Sequence, residues 1–311
     1  SPNLASKAPL ESLILMSKDG KAFPLRKGET ELEEEDYEFL EKFLDVTKSN
    51  LFFAKSVLIV EGDSENILLP TIAELLGRPL ENYGVSVVNI GNTAFARYAK
   101  IFKRRGLDDN SNRVNWVPTR VACLHDLDLW PDKAECRPEN EPFGFKTKKQ
   151  PNESGRGGNL SSWRSSYKPK KLQEKKEKMK SKAGQGQNIK VCLSDQWTFE
   201  YSLALNGLAE EVYESTISDF SELSEEERAN QIKEMFEELP TDKEERTIAI
   251  YKRIEEGNIK TQVAYELVKI LTRNYQSIDK REELRKKLPQ YILDAIEHVT
   301  EPFQPLPVGE D

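Results

Sequence analysis

The chain has 311 residues, enough for one large domain or two modest ones. Apolar residues make up 37% and charged residues 32%, so the chain can build a core and wholesale disorder is excluded. A net charge of −8 excludes a globally basic nucleic-acid binder. The three cysteines, Cys123, Cys136 and Cys192, have no CxxC spacing, which excludes a disulfide framework and a zinc ribbon. With only two histidines, His125 and His298, a metal site must be built mostly from carboxylates. Oxygen ligands favour Mg²⁺, Mn²⁺ or Ca²⁺ over zinc. No apolar run reaches the ~20 residues of a membrane span and no signal peptide is visible, so a cytoplasmic protein without membrane association is expected. The chain opens on Ser1 without Met, which fits a fragment.

Residues 29–50 read as a helix, acidic at its start, with Phe39, Leu40, Phe43 and Leu44 on one stripe. An alternating α/β stretch follows. Val57–Val60 is a short apolar run suited to a strand buried on both faces. Residues 65–76 read as a helix capped by Asp63 or Ser64 and ended by Gly77. Residues 85–90 are the next strand, 94–105 the next helix, and 120–124 and 189–193 two further strands. Strands alternating with helices predict a parallel sheet with right-handed crossovers.

A long interruption spans about residues 131–188. Lys168 to Lys182 carries eight lysines against two glutamates, flanked by Trp163, Arg164 and Tyr167. It reads either as a solvated helix held by Leu172 and Met179 or as a phosphate-binding element, with Arg164, Lys168, Lys170, Lys171, Lys175 and Lys176 as candidate DNA contacts. Trp163 or Tyr167 could stack on bases. From Leu208 onward the chain reads as helical. Ser224 with Glu227, and Thr241 with Glu244, have capping-box spacing. A later helix has the stripe Ile259, Val263, Leu267, Ile270 and Leu271, and 279–299 form a last pair broken at Pro289. The tail 302–311 is Pro-rich.

Acids cluster where strands end. Glu61 follows the first buried strand, in Glu61-Gly62-Asp63-Ser64-Glu65, and Glu65 opens the next helix. His125-Asp126-Leu127-Asp128 follows the third strand, and an i, i+2 spacing on extended chain points both aspartates the same way. Ser194-Asp195-Gln196-Trp197-Thr198-Phe199-Glu200 follows the fourth, where Asp195 or Thr198 can cap a helix. In open α/β sheets ligands gather beyond the carboxyl ends of strands. Phosphodiester cleavage by two cations about 3.5–4 Å apart needs several carboxylates at one edge. Lys260, at a helix start where the dipole disfavours it, reads either as solvated or as a cation held for charge that develops on a phosphate.

The order strand–EGxxE–helix–strand–helix–strand–DxD resembles a Toprim domain, the catalytic module of topoisomerases, DnaG-type primases and several nucleases. EGDSE, SDQWTFE and NIKTQVAYELV resemble more closely the OLD (overcoming lysogenization defect) nucleases, and the opening SPNLAS resembles the residues that follow the ATPase domain of that family. The resemblance implies an α/β fold with a Toprim-type parallel-sheet core and an attached or inserted α-helical domain. It implies 1–50 as a linker and helix after an N-terminal ATPase domain, 51–208 as the catalytic core with a basic insertion, and 209–311 as a helical region returning Lys260 to the site. It implies Glu61 as metal ligand and acid/base, Glu65, Asp126, Asp128 and Glu200 as ligands, with Thr198 in the same element as Glu200, and Lys260 as a catalytic lysine. From their place after the fourth strand, Asp195 is expected as a further ligand and Ser194 and Thr198 as support. Asp132 is a further candidate ligand, and His125 stands where relatives carry a small or hydroxyl residue. Two divalent ions, Mg²⁺ or Mn²⁺ with Ca²⁺ binding or modulating, and DNA as substrate follow from it, with a dimer formed through the full-length protein left open. The alternatives are a non-catalytic metal- and DNA-binding scaffold, a primase or a topoisomerase. A receiver-domain phosphorelay is disfavoured by the placement of the acids.

Overall fold

The computed structural model describes residues 1–91, 94–107, 110–134, 164, 167–217 and 224–300. Trp163 and most of the 131–188 interruption lie outside the described residues, as does the tail. The N-terminal part holds α1 (Pro2–Ala5), an antiparallel pair of β1 (Ile14–Met16) and β2 (Ala22–Pro24), and α2 (Glu34–Phe43). The helix read over 29–50 is therefore shorter. Its N-terminus is a capping box between Glu33 and Asp36. Beyond Leu44 the Asp45 carboxylate accepts the Lys48 N–H at 2.8 Å, a local bond that competes with helix continuation.

The α/β core follows as β3 (Ser56–Val60), α3 (Asp63–Leu75), β4 (Val85–Asn89), α4 (Phe95–Lys100), β5 (Arg120–His125), α5 (Pro169–Lys182) and β6 (Ile189–Leu193). The sheet order is β4-β3-β5-β6 and every pair is parallel. Side chains alternate between its faces. Leu58, Val60, Ala122, Leu124 and Cys192 face one core with α3, whereas Val57, Ile59, Val121, Cys123 and Val191 face a second core with α2 and α4. Covered on both sides, the strands need continuous apolar runs, which is why they stand out in the sequence. The chain leaves β3 for β4 on one side and returns past β3 to β5 on the other. The carboxyl ends of β3 and β5 therefore flank a topological switch point.

The remaining helices are α6 (Phe199–Leu203), α7 (Ala209–Ser215), α8 (Glu225–Glu237), α9 (Lys243–Gly257), α10 (Lys260–Tyr275), α11 (Lys280–Lys287) and α12 (Gln290–Thr300). They share the first core rather than forming a separate one: Val263, Leu267, Ile292 and Ile296 pack in the same cluster as Leu58 and Leu124. The Ser224–Glu227 capping box forms as read. At the next helix Asp242, not Thr241, is the cap, accepting the N–H groups of Glu244 and Glu245 at 3.0 Å each. A carboxylate is the stronger acceptor at the positive helix end. Asn258 adopts a left-handed conformation (φ 50°) that ends α9 and turns the chain directly into α10. Among the described residues no helix is long and apolar enough to cross a membrane.

Candidate metal centre and nucleic-acid surface

A cleft of about 270 Å³ opens at the switch point, lined by Glu61, Gly62, Asp63, Ser64, Glu65, Asp126, Glu200, Lys260 and Thr261. Glu61 leaves the end of β3. Gly62 is the N-cap of α3 in extended conformation, so the helix starts earlier than its sequence pattern indicates and neither Asp63 nor Ser64 caps it. Asp63 instead accepts from the Asn89 side chain at 2.8 Å, joining the ends of β3 and β4. A Cβ on Gly62 would lie 3.1 Å from Glu65 Oε2. The glycine thus lets the Glu65 carboxylate fold back against the loop that carries Glu61.

The segments after β5 and β6 are laced together. Ser194 Oγ accepts the Leu127 N–H at 2.8 Å and donates to the Trp197 carbonyl at 3.2 Å. The Phe199 N–H, in the first turn of α6, donates to Asp126 Oδ2 at 3.2 Å. Thr198 caps α6 by accepting the Tyr201 N–H, and this aims Glu200, only 4% exposed, toward the same space. Ser194 and Thr198 thus tie together the segments that follow β5 and β6.

Burial among like charges raises the proton affinity of Glu65 and Asp126. Burial, then repulsion from Glu200 and Glu61, pushes Glu65 up to about 7, with Lys260 partly opposing the rise. Burial, then Glu65, Glu200, Glu61 and Asp128, raises Asp126 well above the ordinary carboxylate range. Lys260 is the counter-charge of the cleft. Burial works against its charge, yet Glu200, Glu255 and Asp126 raise its proton affinity above that of an ordinary lysine. Its Nζ lies 2.9 Å from Glu255 Oε1 and over the Tyr251 ring. Tyr251 donates to the same oxygen at 2.7 Å.

Three of the candidate ligands stand elsewhere. Asp128 has φ 54°, which breaks the extended alternation assumed for the DxD pair; it is exposed and does not line the cleft, although its charge reaches Asp126. Asp195 is 73% exposed at its side chain and pairs with Lys176 Nζ at 3.0 Å. Asp132 is exposed and also outside the cleft lining. Glu255 and Tyr251 were not found from the sequence. Their i, i+4 spacing on α9 is readable, but the reach to Lys260 across the Asn258 turn is not. His125 gains a position: its Nδ1 contacts Glu61 Oε1, and its ring stacks on Phe95 with centroids 4.9 Å apart.

The donor set suits a hard divalent cation, being carboxylate oxygen throughout. The raised proton affinities of Glu65 and Asp126 mark a field that a cation would relieve. Among the described residues no three His, Cys, Asp or Glu side chains already stand in ion-holding geometry.

Beside the cleft lies the basic helix. Leu172 of α5 packs on Leu127 and Leu129, the two residues that bracket Asp128, with Tyr167 and Met179 completing the cluster. Lys168, Lys170 and Lys171 are exposed, Lys175 lies over the Tyr167 ring, and Lys176 holds Asp195. Arg164 is half-buried and its N–H donates to the Trp130 carbonyl at 2.9 Å.

A four-stranded parallel sheet with EGxxE after one central strand and DxD after its neighbour is a Toprim-type core with an attached helical region. Residues 52–128 match the family model described as "Overcoming lysogenization defect protein-like, TOPRIM domain", and this segment is an OLD-like Toprim domain. A domain of this kind suggests a metal-binding, nuclease-type role. Among solved structures, the C-terminal region of the Xanthomonas campestris pv. campestris OLD protein is 19% identical with a TM-score of 0.43, over 81% of this chain and 94% of that one. The C-terminal region of the Burkholderia pseudomallei OLD protein is 23% identical with a TM-score of 0.41, over 79% of this chain and 97% of that one. No curated protein matches the chain.

Proposed function

We propose that this chain is a divalent-metal-dependent DNA endonuclease that hydrolyses phosphodiester bonds with two bound ions, Mg²⁺ or Mn²⁺. The observation that carries the reading is the meeting of Glu61, Glu65, Asp126 and Glu200, from three strand ends, with Lys260 from a distant helix in one cleft. These four carboxylates would hold the ions. Two such ions supply a deprotonated water and neutralise charge on the phosphate oxygens.

The chain's own groups do the rest. Glu61 Oε1 is buried against His125 Nδ1, so the oxygen left to face the cleft is Oε2. That oxygen can orient the attacking water and take its proton. Lys260, held charged by Glu255 and Glu200, would stabilise the charge that develops on a scissile phosphate in the cleft. The lysines of α5 neutralise neighbouring phosphates. Their helix is anchored on the loop that carries Asp126 and Asp128, so a bound backbone is delivered to the cleft edge. Most of these contacts are to backbone, and cleavage should depend little on base sequence. In this reading 51–208 is the catalytic core, 209–311 supplies Lys260, and an ATPase domain precedes both in a longer protein, as the residues 1–6 suggest.

The test is nicking or cutting of supercoiled plasmid in a metal series. Glu61→Ala, Asp126→Ala and Lys260→Ala should each abolish most cleavage, with a loss above ~10²-fold for Lys260. Full activity in all three variants refutes the site. Manganese binding without any product in the unaltered chain would replace the enzyme with a metal- and DNA-binding scaffold.

A further inference from the structure

The helix that brings Lys260 to the cleft does not end its exposed face there. On α10, Val263, Ala264, Leu267, Ile270 and Leu271 are buried, and the opposite face carries Thr261, Tyr265 and Lys269 in successive turns. An i, i+4 spacing stacks side chains along the axis at about 6 Å per step, roughly the length of two stacked nucleotides. Thr261 lines the cleft. Tyr265 is 58% exposed, and Lys269 Nζ lies 4.4 Å from its ring centroid. Among the described residues, six of the eight exposed large apolar side chains precede residue 54, and Tyr265 is the one a single helical turn from a cleft-lining residue.

We propose that Thr261, Tyr265 and Lys269 form a track for an unpaired nucleotide next to the scissile phosphate, Tyr265 stacking on its base and Lys269 meeting its phosphate. The proposal takes the identity of its ligand from the nuclease reading and narrows the substrate class to DNA with single-stranded character at the cut: a flap, a gap edge or a frayed end. A paired duplex keeps its bases stacked inward and offers no free ring face to an exposed tyrosine, whereas every unpaired base offers one. The lysine beside the ring, paired with Glu266 Oε1 at 2.8 Å, would exchange that partner for the phosphate without filling the cleft.

The test uses the full chain in metal-free buffer and fluorescence anisotropy. Its probes are a labelled thymidine oligomer and a labelled mixed-sequence duplex of the same length. The ratio of single-strand to duplex affinity should fall at least about fivefold in Tyr265→Ala and be retained in Tyr265→Phe and Tyr265→Trp. An unchanged ratio in Tyr265→Ala overturns the track, as does an unaltered chain that binds only the duplex. Manganese-dependent plasmid nicking by the unaltered chain is scored separately. Nicking with an unchanged ratio sinks the track and leaves the nuclease standing; a fallen ratio without nicking sinks the nuclease and keeps the track.

Discussion

Glu65→Gln should make the metal-free protein more stable at alkaline pH while weakening its hold on divalent ions. Glu65 is 7% exposed and titrates near 7 in the folded chain, against 4.5 for an ordinary glutamate. At pH 4 the group is largely protonated in both states and its effect on folding is nearly fully favourable. Between 4.5 and 7 the unfolded chain releases the proton first. Stability then falls with rising pH by up to about 1.4 kcal/mol per pH unit. Above pH 7 both states are ionised and the loss is complete, about 3 kcal/mol in all. Asp126 shifts in the same direction and adds to the loss. A glutamine carries no proton to lose and removes one charge from the cluster. Urea unfolding of the two proteins in EDTA at pH 4 and pH 8 isolates the effect. The Gln variant should gain about 3 kcal/mol on the parent between the two pH values. Magnesium added at pH 8 should then raise the parent's midpoint and do less for the variant, since binding to the folded state adds about 2.7 kcal/mol at a hundred times Kd. An equal difference between the proteins at both pH values would show that Glu65 is not held among like charges, and the carboxylate cluster would lose its electrostatic basis.

Three further outcomes follow from the groups around the cleft. Glu255→Gln removes the charged partner of Lys260 at 2.9 Å, and kcat for oligonucleotide cleavage should fall about tenfold with KM little changed, as measured by steady-state kinetics; an unchanged kcat denies Glu255 any part in placing the lysine. His125→Ala frees the buried oxygen of Glu61 and should weaken Mn²⁺ binding about 10- to 100-fold by calorimetry, with Asn restoring part of the affinity through its amide N–H; full affinity in the Ala variant makes the pairing incidental. Replacing the exposed Lys170 and Lys171 by Glu should lower duplex affinity and flatten the salt dependence of binding by about 0.9 in log–log slope for each phosphate that is no longer neutralised. An affinity and slope equal to the parent's would take α5 out of the interface.

What the sequence disclosed and what it hid divide along a physical line. The strands are legible because a sheet covered on both faces demands unbroken apolar runs: 189–193 emerges with its observed bounds, and 57–60 and 120–124 each miss one end residue. The acids at strand ends are legible for the same reason, since a charged residue directly after such a run must sit at the sheet's edge. Glu61, Glu65, Asp126 and Glu200 meet there. Asp128 and Asp195 have the same local signature and do not join them. A left-handed residue turns Asp128 outward, and Lys176 from α5 takes Asp195, a partner 19 positions upstream that no local pattern reveals. The helical reading of 29–50 fails for a kindred reason: Asp45 finds its own backbone partner and stops the helix where periodicity alone would continue it. Lys260 shows the limit most clearly. Its position at a helix start is locally unfavourable, and the sequence shows that much. What offsets the dipole is Glu255 on the preceding helix together with Glu200 and Asp126 at the sheet edge, far upstream in the chain. A lysine kept at the wrong end of a helix by carboxylates from three other segments is a residue whose placement local structure does not explain. That misfit, more than any motif, is the reason to look for its purpose in the cleft.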